Sequence, residues 1–238
     1  MEINRDFTIQ WLGHGTFILR TPGGKMLLID PWLQGNPACP PALKNVAAPD
    51  AMLVTHGHFD HVADAVDVAK RTGTTVVGIF ELCSWLNRKG VTATADMNKG
   101  GTREVAGVKV TMVHADHSCG ITEDDGTIVY GGEAVGYVIE LENGYRIYAA
   151  GDTNVFGDMR LIGELYRPDL AILPIGDLYT MSPREAAYAI RLLGVRQVVP
   201  SHWGTFPPLT GTPSRLRELT ADIVDLTIHE LEPGQEIS

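Results

Sequence analysis

The stretch LVTHGHFDHVAD, residues 53–64, places three histidines and one aspartate within six consecutive positions: His56, His58, Asp60 and His61. Such crowding needs an explanation, because the whole chain contains only eight histidines. The stretch begins in an apolar run typical of a buried strand and continues into apolar residues at helical spacing. Side chains two positions apart in extended backbone point the same way, so His56 and His58 can converge on one metal ion. Asp60 and His61, where the predicted helix begins, can face a second position beside it.

A simpler interpretation exists for each of these four residues taken singly, namely a polar side chain in an exposed turn. The set as a whole favours a metal centre. Imidazole nitrogens and carboxylate oxygens are ligands that zinc, manganese and iron accept in proteins. One turn of the chain cannot supply every ligand of such a centre, so further ligands must come from elsewhere in the sequence.

Three later residues meet that requirement, because each follows a predicted strand. His117 comes after the strand in VKVTMVHAD, Asp152 after YRIYAAG, and His202 after RQVVPS. α/β folds place their ligands at the carboxyl ends of strands. An aspartate in such a position is, by itself, more often a turn or helix-capping residue. The three together strengthen the metal interpretation.

Strand, helix and hairpin patterns are mixed along the chain. Residues 7–12 and 25–30 are predicted strands joined by a Gly-Gly turn, and residues 60–73 have helical spacing and end on a glycine. Strand-like segments between residues 101 and 151 predict two antiparallel hairpins. The last quarter alternates strands with helices and ends in the strand-like DLTIHEL. One α/β domain over residues 1–238, with helices covering mixed sheets, fits this pattern best.

Composition limits the classes of function. A hydrophobic content of 44% and a charged content of 20% are ordinary for a folded globular protein. The net charge of −10 argues against nucleic acid as a partner and favours a small-molecule substrate. The cysteines, Cys39, Cys83 and Cys119, are too few and too scattered for a disulfide framework. With no visible export signal and no apolar run long enough for a membrane span, we expect a cytoplasmic protein.

The order THGHFDH, a single histidine, AGDT and SHWG resembles the metallo-β-lactamase superfamily over essentially the whole chain. WLGHGTF, LLIDPWL and PIGDLYTMSPREAA look most like a small intracellular branch of metal-dependent hydrolases related to the L-ascorbate-6-phosphate lactonases. WLGH with a later Asp-Pro is also similar to N-acylphosphatidylethanolamine phospholipase D. The resemblance implies a four-layered αββα sandwich, in which helices flank two mixed β-sheets.

The resemblance also implies a role for each motif residue. His56, His58 and His117 would hold one ion, Asp60, His61 and His202 the other, and Asp152 would bridge the two. Asp60 would in addition be the catalytic residue that orients a hydroxide.

Residues outside this ligand set receive supporting roles. Asp30, in LLIDP, would support the metal-binding loop, and His14 and Asp177 would support the ligands or contact substrate. His114 is an alternative to His117 as the metal ligand. We choose His117 because a serine follows it, as in the family motif. His114 would then lie near the pocket.

The expected activity is hydrolysis of a small ester, lactone or phosphodiester by a hydroxide that bridges two divalent ions. Zinc is the first candidate, with manganese, iron or nickel as alternatives, and related proteins suggest a homo-oligomer. One alternative function is an iron-dependent redox enzyme of the same superfamily, although the oxygen-reducing members usually carry a carboxylate where this chain has His58. The other alternative is a non-catalytic metal-binding protein. The chain retains all seven proposed ligands, which argues against that alternative.

Overall fold

Apolar strands separated by turn residues build two seven-stranded sheets in the computed structural model, which describes residues 6–238. The strands of the first sheet are β1 (Thr8–Trp11), β2 (Phe17–Arg20), β3 (Met26–Ile29), β4 (Ala51–Leu53), β5 (Thr75–Ile79), β6 (Thr94–Met97) and β16 (Glu236–Ile237). Their spatial order is β16-β1-β2-β3-β4-β5-β6, with parallel pairing from β3 to β6 and antiparallel pairing from β16 to β3.

The strands of the second sheet are β7 (Thr102–Val105), β8 (Val108–His114), β11 (Val135–Glu140), β12 (Arg146–Ala149), β13 (Leu170–Pro174), β14 (Gln197–Ser201) and β15 (Thr227–Ile228). This sheet is also mixed, in the order β15-β14-β13-β12-β11-β8-β7, with parallel pairing from β12 to β15. A separate antiparallel ribbon joins β9 (Gly120–Thr122) to β10 (Ile128–Tyr130).

Helices cover the outer face of each sheet. The larger apolar core unites side chains of both sheets, such as Leu28 and Val110, and a second core lies between the second sheet and its helices. The predicted four-layered arrangement of two mixed sheets between helices is therefore confirmed. The helices are α1 (Phe59–Val62), α2 (Ala65–Thr72) and α3 (Phe80–Arg88) with the first sheet, and α4 (Met159–Tyr166), α5 (Pro183–Leu193) and α6 (Pro213–Leu219) with the second, besides a 3-10 turn over Pro41–Leu43.

Some predicted elements were wrong in detail. The Gly-Gly turn joins β2 to β3, so the strand Phe17–Arg20 was missed between the two predicted ones. The predicted helix 60–73 is broken into α1 and α2 at Asp64, whose carboxylate accepts the backbone N–H groups of Leu33 and Gln34. Of DLTIHEL, only Thr227–Ile228 is a strand.

One of the two predicted hairpins is present as β11–β12, and β8 pairs with β7 and β11. The short strands β6, β7, β9 and β16 were not predicted. They have two to four residues each, and polar side chains interrupt the apolar alternation that marks a strand. Residues 1–5 of the predicted domain lie outside the described residues.

The sheets bring distant parts of the chain to one edge of the sandwich. Thr55 follows β4, Asp152 follows β12, and His202 follows β14 directly. Because β8 and β12 both run antiparallel to β11, the carboxyl end of β8 lies at the same edge, and His117 follows it. Within residues 6–238, the helices are all too short or too polar to cross a membrane.

A close backbone approach fixes the loop that carries His202. A Cβ atom on Gly176, just after β13, would collide with the carbonyl oxygen of His202. Gly211 likewise leaves no room for a Cβ beside the carbonyl of Ile175, and its N–H donates to the carbonyl of Gly176. The two glycines therefore allow the loop after β14 to pack directly on the loop after β13.

We predict that Gly176→Ala destabilises the protein, because the added methyl group forces these two backbones apart. Overpacking typically costs about 1–3 kcal/mol, which corresponds to a fall in Tm of roughly 3–10 °C for a chain of this size. Gly157→Ala is the control, since nothing lies within 4 Å of a Cβ there. Differential scanning calorimetry measures both variants, and equal Tm values for the two would contradict the prediction.

Candidate metal centre

Three predicted ligands form one cluster of ring nitrogens. Nδ1 of His58 lies 3.0 Å from Nε2 of His56 and 3.3 Å from Nε2 of His117. The outer nitrogen of His58, Nε2, lies 3.2 Å from the hydroxyl of Ser118. The nitrogens that face one another can offer their lone pairs to a common ion.

Three further histidines and Asp60 form a second cluster beside the first. His14, Asp60, His61 and His202 each offer one ligand atom, and these atoms lie within 4.8 Å of one another. Nε2 of His202 is 3.7 Å from Oδ2 of Asp60. Both His61 and His202 are buried, and His202 has a left-handed backbone with φ of 54°. Such strain in a non-glycine residue is typical of functional sites.

Asp152 lies between the two clusters. Its Oδ2 atom is 3.8 Å from Nε2 of His56 and 3.7 Å from Nε2 of His117 on one side. On the other side, Oδ2 is 3.1 Å from Nε2 of His202, and Oδ1 is 3.3 Å from Nε2 of His61. The carboxylate is almost fully buried. It therefore reaches the nitrogens of both clusters at once.

Buried Asp30 determines which nitrogen of His61 faces the centre. Oδ2 of Asp30 is 2.8 Å from Nδ1 of His61, so that nitrogen carries the proton and donates it. In the neutral form of His61 the opposite atom, Nε2, presents its lone pair to the centre, where it is buried and has no hydrogen-bond partner within residues 6–238. A buried lone pair without a partner is costly unless a ligand occupies it. The donor set therefore fits a metal ion.

Thr55 determines in the same way which nitrogen of His56 faces the centre. The hydroxyl of Thr55 donates to Oδ2 of Asp30 at 2.7 Å, and its backbone N–H donates to Oδ1 at 2.7 Å. Because its proton is committed to Asp30, the hydroxyl accepts from Nδ1 of His56, 3.0 Å away. Nε2 of His56 consequently carries the lone pair that faces Asp152. One carboxylate thus orients a histidine in each cluster.

The electrostatics of the centre also favour cations. Burial lowers the pKa of His56, His58 and His117, so these imidazoles are neutral, the form that binds metal. Burial alone would raise the pKa of Asp152, but the charges of His202 and His61 lower it well below its ordinary value. Asp152 is therefore an anion, and of its four histidine neighbours His61 and His202 are the two that carry the compensating positive charge.

In the second cluster, the interaction between carboxylates and histidines raises the pKa of two histidines. Burial lowers the pKa of His61 and His202, yet the nearby carboxylates outweigh it. The pKa of His61 rises well above its ordinary value, and that of His202 rises to about 9. A divalent ion at this position would displace these protons and supply their positive charge.

His14 contacts Asp60 and stays neutral. Its Nε2 atom is 2.9 Å from Oδ2 of Asp60, and its Nδ1 atom is 3.0 Å from the hydroxyl of Thr205. Burial lowers the pKa of His14 to about 4, despite the hydrogen bond to Asp60. Burial raises the pKa of Asp60, but the hydrogen bonds from His14 and His202 lower it well below its ordinary value. Asp60 therefore remains a carboxylate, oriented by an imidazole N–H.

A cavity of about 620 Å³ opens over both clusters. This volume suits a small-molecule site. The cavity reaches Asp152 and the four outermost members of the clusters, whereas His56 and His61 lie beneath its floor. Its lining residues are His58, Phe59, Asp60, His117, Ser118, Thr122, Asp152, Tyr179, His202, Phe206, Pro207 and Pro208.

Two of the predicted supporting residues lie away from this centre. His114 is exposed at the end of β8, where it contacts Phe156 and lies 3.4 Å from Nζ of Lys99. Asp177 is also exposed, and its side chain accepts the N–H of Leu178. Neither lines the cavity. His14 and Asp30, by contrast, touch predicted ligands directly.

Sequence reasoning missed three residues that support the centre. Thr55 carries the link from Asp30 to His56, and its place directly before the first histidine was an available signal. Thr205 contacts His14, and the ring of buried Trp32 packs edge-on against it. Nothing in the local sequence marks these last two, because they meet His14 only through the tertiary fold.

Comparison with known proteins gives a family match. Residues 25–203 match the model of the Beta-lactamase superfamily domain. A UPF0173 metal-dependent hydrolase of Rubrobacter xylanophilus is 56% identical over 230 residues, which cover 96% of this chain and 95% of that protein. A second, from Koribacter versatilis, is 55% identical over 227 residues, with 95% and 96% of the two chains covered.

A solved structure agrees with these sequence matches. Igni18, described as a novel metallo hydrolase from the archaeon Ignicoccus hospitalis, superimposes with a TM-score of 0.84. It is 33% identical, and the match covers 97% of each chain. The resemblance to metallo-β-lactamase proteins predicted from the motifs is thereby confirmed.

We predict that Asp30→Asn weakens metal binding without removing a ligand. An amide has one acceptor oxygen where the carboxylate has two. With its NH2 group towards His61 and the Thr55 hydroxyl, both proposed ligand histidines lose their fixed tautomer, and with its NH2 group towards the backbone N–H of Thr55, that buried donor loses its acceptor and the loop shifts. Loss of such outer contacts typically costs about 10–100-fold in metal affinity. Competition against a chromophoric chelator measures this affinity.

Asp64→Asn is the matched control for this substitution. Asp64 is another buried carboxylate that accepts backbone N–H groups, from Leu33 and Gln34, but it touches no histidine. Equal metal affinities for the two variants would show that Asp30 stabilises only the loop and does not tune the ligands.

Proposed function

The chain belongs to the beta-lactamase superfamily and, within it, to the UPF0173 metal-dependent hydrolases, and we propose that it is a two-metal hydrolase of small esters, lactones or phosphodiesters. We propose His56, His58 and His117 as ligands of one ion. Asp60, His61 and His202 would hold the other. Zinc is the first candidate, with manganese, iron or nickel as alternatives, because a donor set of nitrogen and carboxylate oxygen accepts all four.

The position of Asp152 is the observation that carries the two-ion proposal. A single buried carboxylate lies within 3.1–3.8 Å of four histidine nitrogens, two from each cluster. One ion could not use all of these nitrogens together with Asp60 and His58 in the coordination numbers that such metals prefer. Two ions that shared Asp152 would use every member of the set, and each would then have at least three histidine or carboxylate ligands.

The two ions, when bound, would supply Lewis acidity and lower the pKa of water towards about 7. The chain's own contribution begins with Asp60, whose carboxylate lines the cavity and remains ionised. It can accept a hydrogen bond from the attacking water, orient that water towards the acyl carbon, and pass its proton transiently to the leaving oxygen. In ester hydrolysis the acyl carbon–oxygen bond breaks, the acyl carbon gains OH from water, and the leaving oxygen gains the remaining proton.

His14 would act as a positioning residue in this reaction. Its N–H holds Oδ2 of Asp60, which leaves the other carboxylate oxygen free to face the cavity. Thr205 and Trp32 in turn hold the imidazole of His14. A neutral donor serves this purpose better than an imidazolium, because it fixes Asp60 without neutralising its charge.

The redox and non-catalytic alternatives make different predictions about the same centre. A redox enzyme needs iron and gives a coloured protein, and a binding protein retains metal without turnover. The neutral imidazoles of the first cluster do not favour either alternative over hydrolysis. The carboxylate of Asp152, which both ions would share, does not favour either one. The test of the proposed function therefore has to measure metal identity and turnover in one preparation.

We predict close to two ions per chain in the purified protein by elemental mass spectrometry, and metal-dependent hydrolysis of p-nitrophenyl esters or bis(p-nitrophenyl) phosphate. Asp152→Ala should retain fewer than one ion per chain and lose at least about 100-fold in kcat, because both ions lose a shared ligand. Activity removed by a chelator should return when zinc or manganese is added.

Asp116→Ala is the control variant, since Asp116 is exposed and its side-chain contact is to Asn154. It should keep the wild-type metal content and kcat. One tightly bound iron with visible absorption and no hydrolysis would favour the redox alternative. Two ions without turnover of either substrate class would favour a binding protein.

A further inference from the structure

The wall of the cavity divides sharply into two kinds of residue. Every histidine and aspartate in it is one of the proposed metal ligands: His58, Asp60, His117, Asp152 and His202. The remaining seven carry no formal charge. Within residues 6–238, the side chains lining the cavity include no lysine and no arginine. The part of a substrate that lies away from the reacting bond would therefore meet no positive side chain.

The uncharged part of the wall is mostly aromatic and apolar. Phe59 lies between two proposed ligands in the sequence, yet 59% of its side chain is exposed. Phe206, Pro207 and Pro208 also line the cavity, on the loop that follows His202. Leaving a large apolar ring in water beside a polar centre has a cost, and such surfaces commonly mark ligand-binding grooves.

Buried Trp32 packs against both Phe59 and Phe206. Its ring lies 5.7 Å from that of Phe59, edge to face, and 5.8 Å from that of Phe206. Phe206 also packs edge-on against His14, at 5.5 Å. Because Trp32 is buried, the two phenylalanines rest on a rigid support instead of adapting to each ligand.

A strained turn brings a third aromatic ring to the cavity. Asp177 and Leu178 are consecutive non-glycine residues with positive φ values, 69° and 60°. The N–H of Tyr179 donates to the carbonyl of Asp177, and the N–H of Asp177 to the carbonyl of Met181. Tyr179 is thereby held in the cavity wall with 62% of its side chain exposed. Strain of this kind persists where the surrounding structure enforces it.

From this wall we propose an apolar subsite, formed by Phe59, Tyr179, Phe206, Pro207 and Pro208, that binds the uncharged acyl or aryl part of a carboxylic ester or lactone. This inference rests on the proposed hydrolase function and narrows its substrate class. A phosphorylated sugar would have to lose much of its hydration in the cavity without an arginine or lysine to compensate. The net charge of −10 also disfavours the approach of anions.

The test uses metal-loaded protein and p-nitrophenyl esters with acyl chains from acetate to octanoate. We expect kcat/KM to rise about three- to fourfold per methylene over the first few methylenes, as each is transferred from water to the apolar wall. Bis(p-nitrophenyl) phosphate and p-nitrophenyl phosphate serve as the anionic competitors. A flat chain-length profile, or a higher kcat/KM for either phosphate than for the hexanoate, would overturn the subsite.

Matched variants identify which side chains cause the dependence of kcat/KM on acyl-chain length. Phe59→Ala and Phe206→Ala should each lower kcat/KM for the hexanoate about tenfold more than they lower that for the acetate. Phe80→Ala is the control, because Phe80 is 56% exposed and is not part of the cavity wall. Phe59→Leu keeps an apolar side chain and should recover most of the loss. Equal losses on acetate and hexanoate would mean that the rings only support the metal centre.

A binding measurement separates failure of this inference from failure of the proposed function. Titration calorimetry with 2-butanone, 2-hexanone and 2-octanone, which are not hydrolysed, should show affinity increasing with chain length and lost in Phe206→Ala. Ketone binding of this pattern without turnover of any ester would support the subsite and refute the hydrolase. Ester turnover without chain-length dependence, and with no ketone binding, would support the hydrolase and refute the subsite.

Discussion

The geometry of the centre depends on one buried carboxylate, that of Asp30. It accepts Nδ1–H of His61 directly and the hydroxyl of Thr55, which in turn accepts from His56. Two imidazoles that belong to different clusters are thereby forced into the tautomer whose lone pair faces inward. A carboxylate behind a histidine is a common means of fixing a metal ligand, and here a single one acts on both sides of the proposed two-ion site.

The fold supplies the second requirement, which is that ligands far apart in sequence meet at one edge. The loops after β4 and β12 come from different sheets, and Asp152 is brought between the clusters because the sheets pack face to face. The loop with His202 is held close by glycines that allow backbone to touch backbone. Above this polar floor, aromatic side chains supported by Trp32 form the wall of the cavity. The strand ends at this one edge of the sandwich thus position both the proposed ligands and the wall of the cavity.

Much of this arrangement was predictable from the sequence, because ligand chemistry and strand ends leave local signals. The crowded motif at His56 and the residues Asp152 and His202 could be placed by their positions after apolar runs. The strand Phe17–Arg20 was missed although glycines mark both of its ends, because the Gly-Gly turn after it was attributed to the preceding strand. The contacts of His14 could not be predicted either, because Thr205 and Asp60 are 191 and 46 residues away from it in the sequence. His114 was expected near the pocket on sequence proximity, and the direction in which β8 ends leaves it exposed instead.

The number of ions is the claim on which the proposed chemistry rests, and anomalous X-ray diffraction at a metal absorption edge tests it most directly. We expect two anomalous peaks roughly 3.5–4 Å apart, the usual separation of a two-metal site, with Asp152 in contact with both. One peak should lie among His56, His58 and His117, and the other among Asp60, His61 and His202. A single fully occupied peak, with the second cluster of histidines still protonated and bonded to Asp152, would contradict the two-ion centre.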